Sequence, residues 1–572
     1  MLPPIYYETC TDAVLAAYAR LEDAILSAMV KRILQMGFVS EATKHQAEML
    51  QEAGLLYDDI IQLIAQQTDA CTAQVRALFE DAGVTAVEID NQAYRQAGIA
   101  TVDIQQSDSL RQVLEAGFKK TMGIMDNLTK TTALTTQRAF YQACNDAYMQ
   151  ITSGAFSYQE AIRNVLKQAA RDGLSVTYPS GHVDKLDVAI RRAALTGVGQ
   201  TAAEVSKTNA EDNGCYLMEI TAHSGARPEH AKWQGQLVSL TGKDVGKIID
   251  GLKVWSLRGI GYGEGDGFRG WNCRHDWYPY FPGLSTPNYT KKELEQLDEK
   301  RIEWNGKQYT EYEISQMQRA RERNVRELKR QTLKMQKAAE LTDKPELKEA
   351  ATADYQATAA KLKAEEEILQ MFCDRTGQDR DRFREQVLGF SRSESQKAIH
   401  ARKIGDLNFK NEMRQKGFKN PPESIAEFKK MMYNKPDEYK LMQTYSKSVD
   451  SGMMSPLVGY EKYKEYHKRV EKELVGLTTS NGIEIKSQSN HFLERVCGTI
   501  SDPTHEGAKR SGVELEDIKE ALLYGKVEKV KIKKKSNGEF DKSQGFYTNK
   551  CFVSINPDEC ILIQANPRSP RK

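Results

Sequence analysis

Apolar residues return every three or four positions along much of the first 200 residues, as at Leu15, Tyr18, Leu21, Ile25 and Met29. That spacing lays one buried stripe along an α-helix. It recurs at Leu110, Val113, Leu114 and Phe118, and at Ala161, Ile162, Val165 and Leu166 before Gly173, a helix stop signal. Residues 1–200 are therefore expected to be helical throughout. From Tyr216 to Thr221 (YLMEIT) the pattern becomes that of a short strand, and the glycine-rich stretch Gly259–Gly270 predicts an irregular loop. Residues 201–288 thus read as a small α+β core. After Pro287 the chain is rich in Glu, Lys, Arg, Gln and Ala, with Ile314, Met317, Val325, Leu328 and Met335 near helical spacing. This predicts a charged helical hairpin over 289–375, broken near Lys344 and Pro345, whose charged face is solvated and holds no ligand.

Residues 376–480 are polar and interrupted by Pro421, Pro422 and Pro436, which reads as a loosely packed connector. A separate module occupies 481–572. Ser489 or Asn490 caps a helix in which His491 and Arg495 share one face and Phe492 and Val496 another. Leu515, Ile518 and Leu522 mark a second helix. Val527–Lys533 alternates Val530 and Ile532 with Lys529, Lys531 and Lys533, a strand with one basic face. Cys551–Ile555 and Cys560–Gln564, joined by a turn at Asn556–Asp558, form a closing hairpin. The fold class expected for the whole is mainly α with α+β parts.

Composition narrows the functional classes. A chain of 572 residues exceeds one hydrophobic core and implies several domains. With 81 basic and 79 acidic residues it is not a general polyanion binder, so charge acts locally. No run of about 18 apolar residues is present, and the first residues (MLPPIYYETC) lack the features of a secretory signal, so no membrane span and synthesis in the cytoplasm are expected. Nine scattered cysteines without a CxxC pair fit reduced thiols.

Unusual side chains concentrate between His223 and Phe281, which holds three of the nine histidines and four of the five tryptophans. His223, His230, Cys273 and His275 are ligand types suited to tetrahedral zinc, but their spacing lacks the tight pairs of most zinc motifs. The favoured reading is a fold nucleus without metal or cofactor. In it Trp271, Trp277, Tyr278 and Phe281 form a core, Arg227 and Arg274 pair with acids, and Asn272 braces a turn. Glu229, Asp266 and Asp276 show no catalytic pattern.

Arg227, Pro228 and His230, the glycine at Gly235, and Asn272-Cys273-Arg274 together resemble the head-morphogenesis family of phage Mu F-type proteins. The form Trp271 to His275 followed by Pro279 to Gly283, and the helix Tyr309–Lys334, resemble the minor capsid branch of that family. The resemblance spans roughly the first 400 residues. It implies a minor structural protein of a phage or prophage virion, made in the host cytoplasm, with portal and capsid proteins as partners.

The final module resembles toxin-like ribonuclease domains of the barnase and colicin type. The matching residues are Ser489, His491 and Arg495, then Gly512, Val513 and Ile518, then the run Asn549–Pro557. This resemblance implies metal-independent RNA cleavage, with His491 as general acid or base and Arg495 and Lys550 stabilising phosphorane charge. Tyr547 would stack on a base, Thr548 or Ser543 would bond phosphate, and Lys529, Lys531 and Lys533 would hold the RNA backbone. It also makes an immunity protein a candidate partner. The chain departs from that pattern by an insertion, Gly498–Lys509, before Arg510, and His505 within it reads as a surface loop residue. Two alternatives stand beside catalysis: His491 packs its own helix and the lysine strand is a protected edge, or the module tethers RNA or DNA without chemistry.

Overall fold

A computed structural model describes residues 1–3, 6–35, 42–153, 160–161, 164, 174–297, 299–342, 344–382, 384–387, 389–498, 511–534 and 540–568. The expected stop at Gly173 and the residues His505 and Arg510 lie outside these. The chain is mainly α with small sheets, and it divides into two compact units, Met1–Arg402 and Lys403–Lys572.

In the first unit the helices Asp12–Gln35, Ala42–Gln96, Asp108–Thr152 and Leu186–Asp212 bury much of the stripe read from the sequence, including Leu21, Ile25, Met29 and Phe118, together with Met125 and Ile190. Two glycines let Asp108–Thr152 and Leu186–Asp212 approach closely. A Cβ on Gly117 would fall 2.0 Å from Thr201 Oγ1, and one on Gly197 would fall 2.1 Å from Thr121 Oγ1. Neither position tolerates a side chain without separating the helices. The first 200 residues are not all helical, because Ser175–Thr177 pairs antiparallel with Val183–Lys185. The strands Ile248–Ile249, Leu252–Ser256, Leu237–Ser239, Leu217–Ile220 and Trp277–Pro279 then form one five-stranded sheet in that order. Leu237–Ser239 and Leu252–Ser256 run parallel within it.

The charged hairpin consists of Glu311–Leu341, opened by a capping box between Thr310 and Glu313, and Pro345–Thr376, with the break where Pro345 begins the second helix. Its polar face is not simply solvated. Gln318, Glu322, Thr332, Lys334 and Gln336 are buried. Arg330 lies 3.4 Å from both Glu22 and Asp187, Arg326 is 3.5 Å from Asp187, and Lys334 is 3.1 Å from Asp23. Basic residues at helical spacing met acids from distant helices instead of water. Burial works against the Asp187 carboxylate, but Arg326 and Arg330 more than offset it and hold it below its usual range.

In the second unit, the stretch read as a connector is helical over Ile425–Asn434, Pro436–Asp450 and Tyr460–Glu473. Met413, Phe418, Met442, Tyr445 and Tyr463 share one core with Phe492, Val496, Ile518, Phe546 and Val553. Aromatic residues scattered among charges were enough to bury these helices, so a boundary at residue 481 would cut through the core. The sheet order is Ser487–Gln488, Ile561–Pro567, Cys551–Asn556, Phe540–Tyr547 and Lys526–Val527, with Lys531–Lys534 also paired to Phe540–Tyr547. Among the described residues no helix is long and apolar enough to cross a membrane.

Candidate functional site

The loop and sheet of residues 217–281 gather the motif residues around one cavity. Pro228 opens a one-turn helix, Pro228–Ala231, that carries His230. Gly235, at φ +66°, returns the chain to the sheet, where its N–H donates to the Ile220 carbonyl at 3.0 Å. A Cβ there would lie 2.6 Å from Leu294 Cδ2. Gly235→Ala is therefore expected to cost about 1–2 kcal/mol, from the left-handed backbone alone, read as a lower midpoint in urea unfolding. An unchanged midpoint would remove the motif glycine from the account of this turn.

The glycine-rich stretch folds on itself. A Cβ on Gly267 would meet the Gly261 carbonyl oxygen at 2.1 Å, and one on Gly270 would meet that of Gly265 at 2.3 Å. This tight loop delivers Arg269 to the interior. Arg269 and Asp276 are both buried and form an ion pair. Burial opposes the guanidinium charge, but Asp276 more than offsets it and raises the Arg269 pKa. Asp276 Oδ1 accepts from the Trp277 N–H at 2.8 Å, and the Asp276 N–H donates to Thr221 Oγ1 at 2.8 Å. The pair thus anchors the start of the strand Trp277–Pro279. Neither Arg269 nor Asp276 belongs to a spaced motif, so the sequence alone does not mark this pair.

Trp277 is buried and donates from Nε1 to the Ala203 carbonyl at 3.0 Å. Trp271, expected in the same core, is 57% exposed. The left-handed backbone at Arg269 (φ +61°) and Asn272 (φ +57°) reverses the chain on either side and turns that indole outward. Asn272 stands where a turn needs it, since asparagine tolerates this conformation better than most side chains. Among the described residues no acid pairs with Arg227; its guanidinium donates to the Trp271 carbonyl.

His223, His230, Cys273 and His275, together with Arg227, Arg274, Arg319 and Arg384, line a cavity of about 390 Å³. Cys273 Sγ lies 3.9 Å from His230 Nδ1 and 3.6 Å from His275 Nδ1. His223 and His275 face each other with ring centroids 4.4 Å apart. Burial lowers the pKa of all three histidines, most strongly that of His275, which also feels His223 and His230. Burial raises that of Cys273. A second cavity of about 260 Å³ shares Cys273, Arg274, Arg319 and Arg384 and adds Arg191 and Arg326. Burial, reinforced by Arg274, Arg384 and Arg191, brings Arg319 down to about 10. Asp187 and Glu322 line this second cavity as well, and Glu311 lines the first, so the arginines are partly balanced by acids. Arg191, Arg319 and Arg384 come from helices and loops far from the motif, which is why spacing could not find them.

The residues named for RNA chemistry occupy separate places in the second unit. Ser489 caps the helix Asn490–Cys497 by accepting from the Phe492 N–H at 3.1 Å. On that helix the Arg495 Nε–H donates to His491 Nε2 at 3.3 Å, and His491 Nδ1 lies 3.5 Å from Glu494. His491 is half-buried and Arg495 is buried. Lys550 pairs with Asp517 at 3.1 Å and Glu520 at 2.9 Å. Tyr547 is covered by the Arg568 guanidinium at 4.4 Å, and Thr548 Oγ1 accepts from the Lys550 N–H at 3.3 Å. Among the described residues no hydrogen bond or ion pair joins His491 or Arg495 to Tyr547, Thr548 or Lys550.

The lysine strand is further away. The helix Asn490–Cys497 packs on Ile561–Pro567, whereas Lys531–Lys534 lies beyond Cys551–Asn556 and Phe540–Tyr547. Three strand spacings separate them, about 14 Å. Lys529, Lys531 and Lys533 are exposed, and Lys531 pairs with Glu528 at 2.7 Å; Ser543 stands opposite Lys531. The expected strand Val527–Lys533 is broken: Lys526–Val527 and Lys531–Lys534 are separate strands, Lys529 lies between them, and Ile532 is 62% exposed.

The family of phage minor capsid protein 2 matches residues 2–374. A structural protein of Lactococcus phage LL-H is 26% identical over 298 residues, covering 50% of this chain and 76% of that protein. No solved structure matches the chain.

Proposed function

The chain belongs to the phage minor capsid protein 2 family, and from that premise we propose that it serves at the portal of a phage or prophage virion, in few copies, and aids head assembly. The observation that supports this reading is that the family match falls wholly inside one compact unit. The family match ends at residue 374, within the compact unit Met1–Arg402 that holds the motif cavity. Capsid and portal proteins are the partners this implies. Cross-linking of assembled particles tests the placement: links from residues 1–402 to the portal protein are expected, and links confined to the major shell protein would overturn the portal assignment.

A second reading concerns Lys403–Lys572, which the family match leaves out. We propose that this unit is a metal-independent ribonuclease effector, with His491 as general acid or base beside Arg495. The contact between the half-buried His491 and Arg495 at 3.3 Å favours it. In this reading Lys529, Lys531 and Lys533 hold more distant RNA phosphates, Tyr547, Thr548 and Lys550 enter with substrate, and an immunity protein protects the producer. The full chain expressed in bacteria should arrest growth and cleave RNA, and His491→Ala should abolish both. Equal activity in the variant would reject His491 as the catalytic group. Salt-sensitive RNA or DNA binding without cleavage would mark the unit as a tether.

A further inference from the structure

We propose that His230, Cys273 and His275 form a binding site for a zinc-class divalent cation, with His223 beside them as the candidate fourth ligand. The argument begins with protons. His230 Nε2 lies 2.7 Å from the Asp266 carbonyl oxygen, which can only accept, so Nε2 carries the hydrogen and Nδ1 carries the lone pair. His275 Nε2 lies 3.2 Å from Gln234 Oε1, and the same oxygen accepts the His223 backbone N–H at 3.3 Å. That backbone donor fixes which end of the amide is oxygen. His275 therefore also donates through Nε2 and presents the lone pair of Nδ1. His223 is the reverse: its Nδ1 donates to the Ser224 carbonyl at 2.8 Å, leaving a lone pair on Nε2, which is buried without a hydrogen-bond partner.

Three imidazole lone pairs and one thiol thus share a single hydrogen, that of Cys273, which can satisfy only one of them. A buried lone pair without a donor costs free energy, and here two remain. One cation would use those of His230, His275 and Cys273, and the unpartnered Nε2 of His223 is the candidate for the remaining position.

The geometry suits such an ion. The ligand atoms of His230, Cys273 and His275 lie within 4.8 Å of one another, and His223 stands outside that group, its ring centroid 4.4 Å from that of His275. Zinc bonds of about 2.3 Å to sulfur and 2.0–2.1 Å to nitrogen place tetrahedral sulfur and nitrogen ligands roughly 3.6 Å apart. The observed Sγ–Nδ1 separations are 3.6 and 3.9 Å. The Asp266 carbonyl and Gln234 hold the outer nitrogens of two rings, as outer partners do around ligating histidines. Imidazole nitrogens and a thiolate select zinc or its chemical neighbours over magnesium or calcium. Sequence spacing obscured the set, because His230 and Cys273 are 43 residues apart and only the folded glycine loop brings them together. On binding, Cys273 would lose its proton to solvent and coordinate as thiolate.

The test uses the full-length chain stripped of metal with a chelator and titrated with Co(II). One equivalent should produce intense tetrahedral visible bands and a thiolate charge-transfer band, both bleached by Zn(II), and Zn(II) should raise the thermal midpoint. Cys273→Ser should lose the charge-transfer band, and Gln234→Leu should weaken binding by about 10–100-fold. His223→Ala should also weaken it, and an unchanged affinity would reject His223 as the fourth ligand. A folded wild-type chain that gives only weak octahedral Co(II) absorption, without a thiolate band, would overturn the site altogether.

Discussion

Replacing Asp276 with Asn is expected to destabilise the first unit by about 3–5 kcal/mol, the range for leaving one member of a buried ion pair without its partner. Arg269 and Asp276 are 1% and 0% exposed, so water cannot replace the lost carboxylate. Gly199 lies against the guanidinium, where even a Cβ would come within 3.1 Å of Nη1, and Arg269 also faces the Tyr7 ring at 5.3 Å. The charge therefore has nowhere to move. Urea unfolding of Asp276→Asn should show a large fall in midpoint at unchanged slope. The double variant Arg269→Met with Asp276→Asn should recover part of it, because no unpaired charge is left and the Asn oxygen can still accept from the Trp277 N–H. A loss under about 1 kcal/mol in the single variant would mean that the pair is solvated and does not anchor the strand.

Glu494→Gln should cost the second unit about 3 kcal/mol at neutral pH, for a related reason. Glu494 is buried, accepts from Ser448 Oγ at 2.5 Å and lies 3.5 Å from His491 Nδ1. Arg495 beside it has a buried Nη1 without a hydrogen-bond partner. Burial pushes the Glu494 pKa up, but His491, Ser448 and Arg495 more than offset this and leave it below its ordinary value. A depressed carboxylate pKa gives stability that is present above the unfolded value, about 4.3, and is lost as pH falls through the folded one. The wild-type unit should therefore weaken steeply below about pH 4.3, and Glu494→Gln should flatten that dependence. Parallel acid profiles for the two proteins would exclude Glu494 as the group responsible. The comparison also bears on His491, since loss of activity in His491→Ala with stability intact separates catalysis from helix packing.

Much of the architecture was legible in the chain because it rests on local signals. The stripe Leu21, Ile25 and Met29 is buried, the hairpin breaks at Pro345, and Ser489 caps the helix that bears His491. His230, Cys273 and His275 were singled out by residue type and do meet in one cavity. What could not be read was pairing across long separations. Lys334 finds Asp23, and Arg330 finds Glu22, more than 300 positions away, so a charge pattern typical of a wet helix face became an interior one. Trp271 left the expected core because backbone turns at its neighbours, rather than its own hydrophobicity, set its direction. In the second unit, Phe418, Tyr445 and Tyr460 stack together among polar residues whose average composition suggested a linker.

The central claim is that this chain is a structural component of the particle. Quantitative mass spectrometry of density-purified virions tests it most directly. Peptides from both units should be present at a small, fixed number of copies relative to the major shell protein. Purified infectious particles that contain none of them would contradict it.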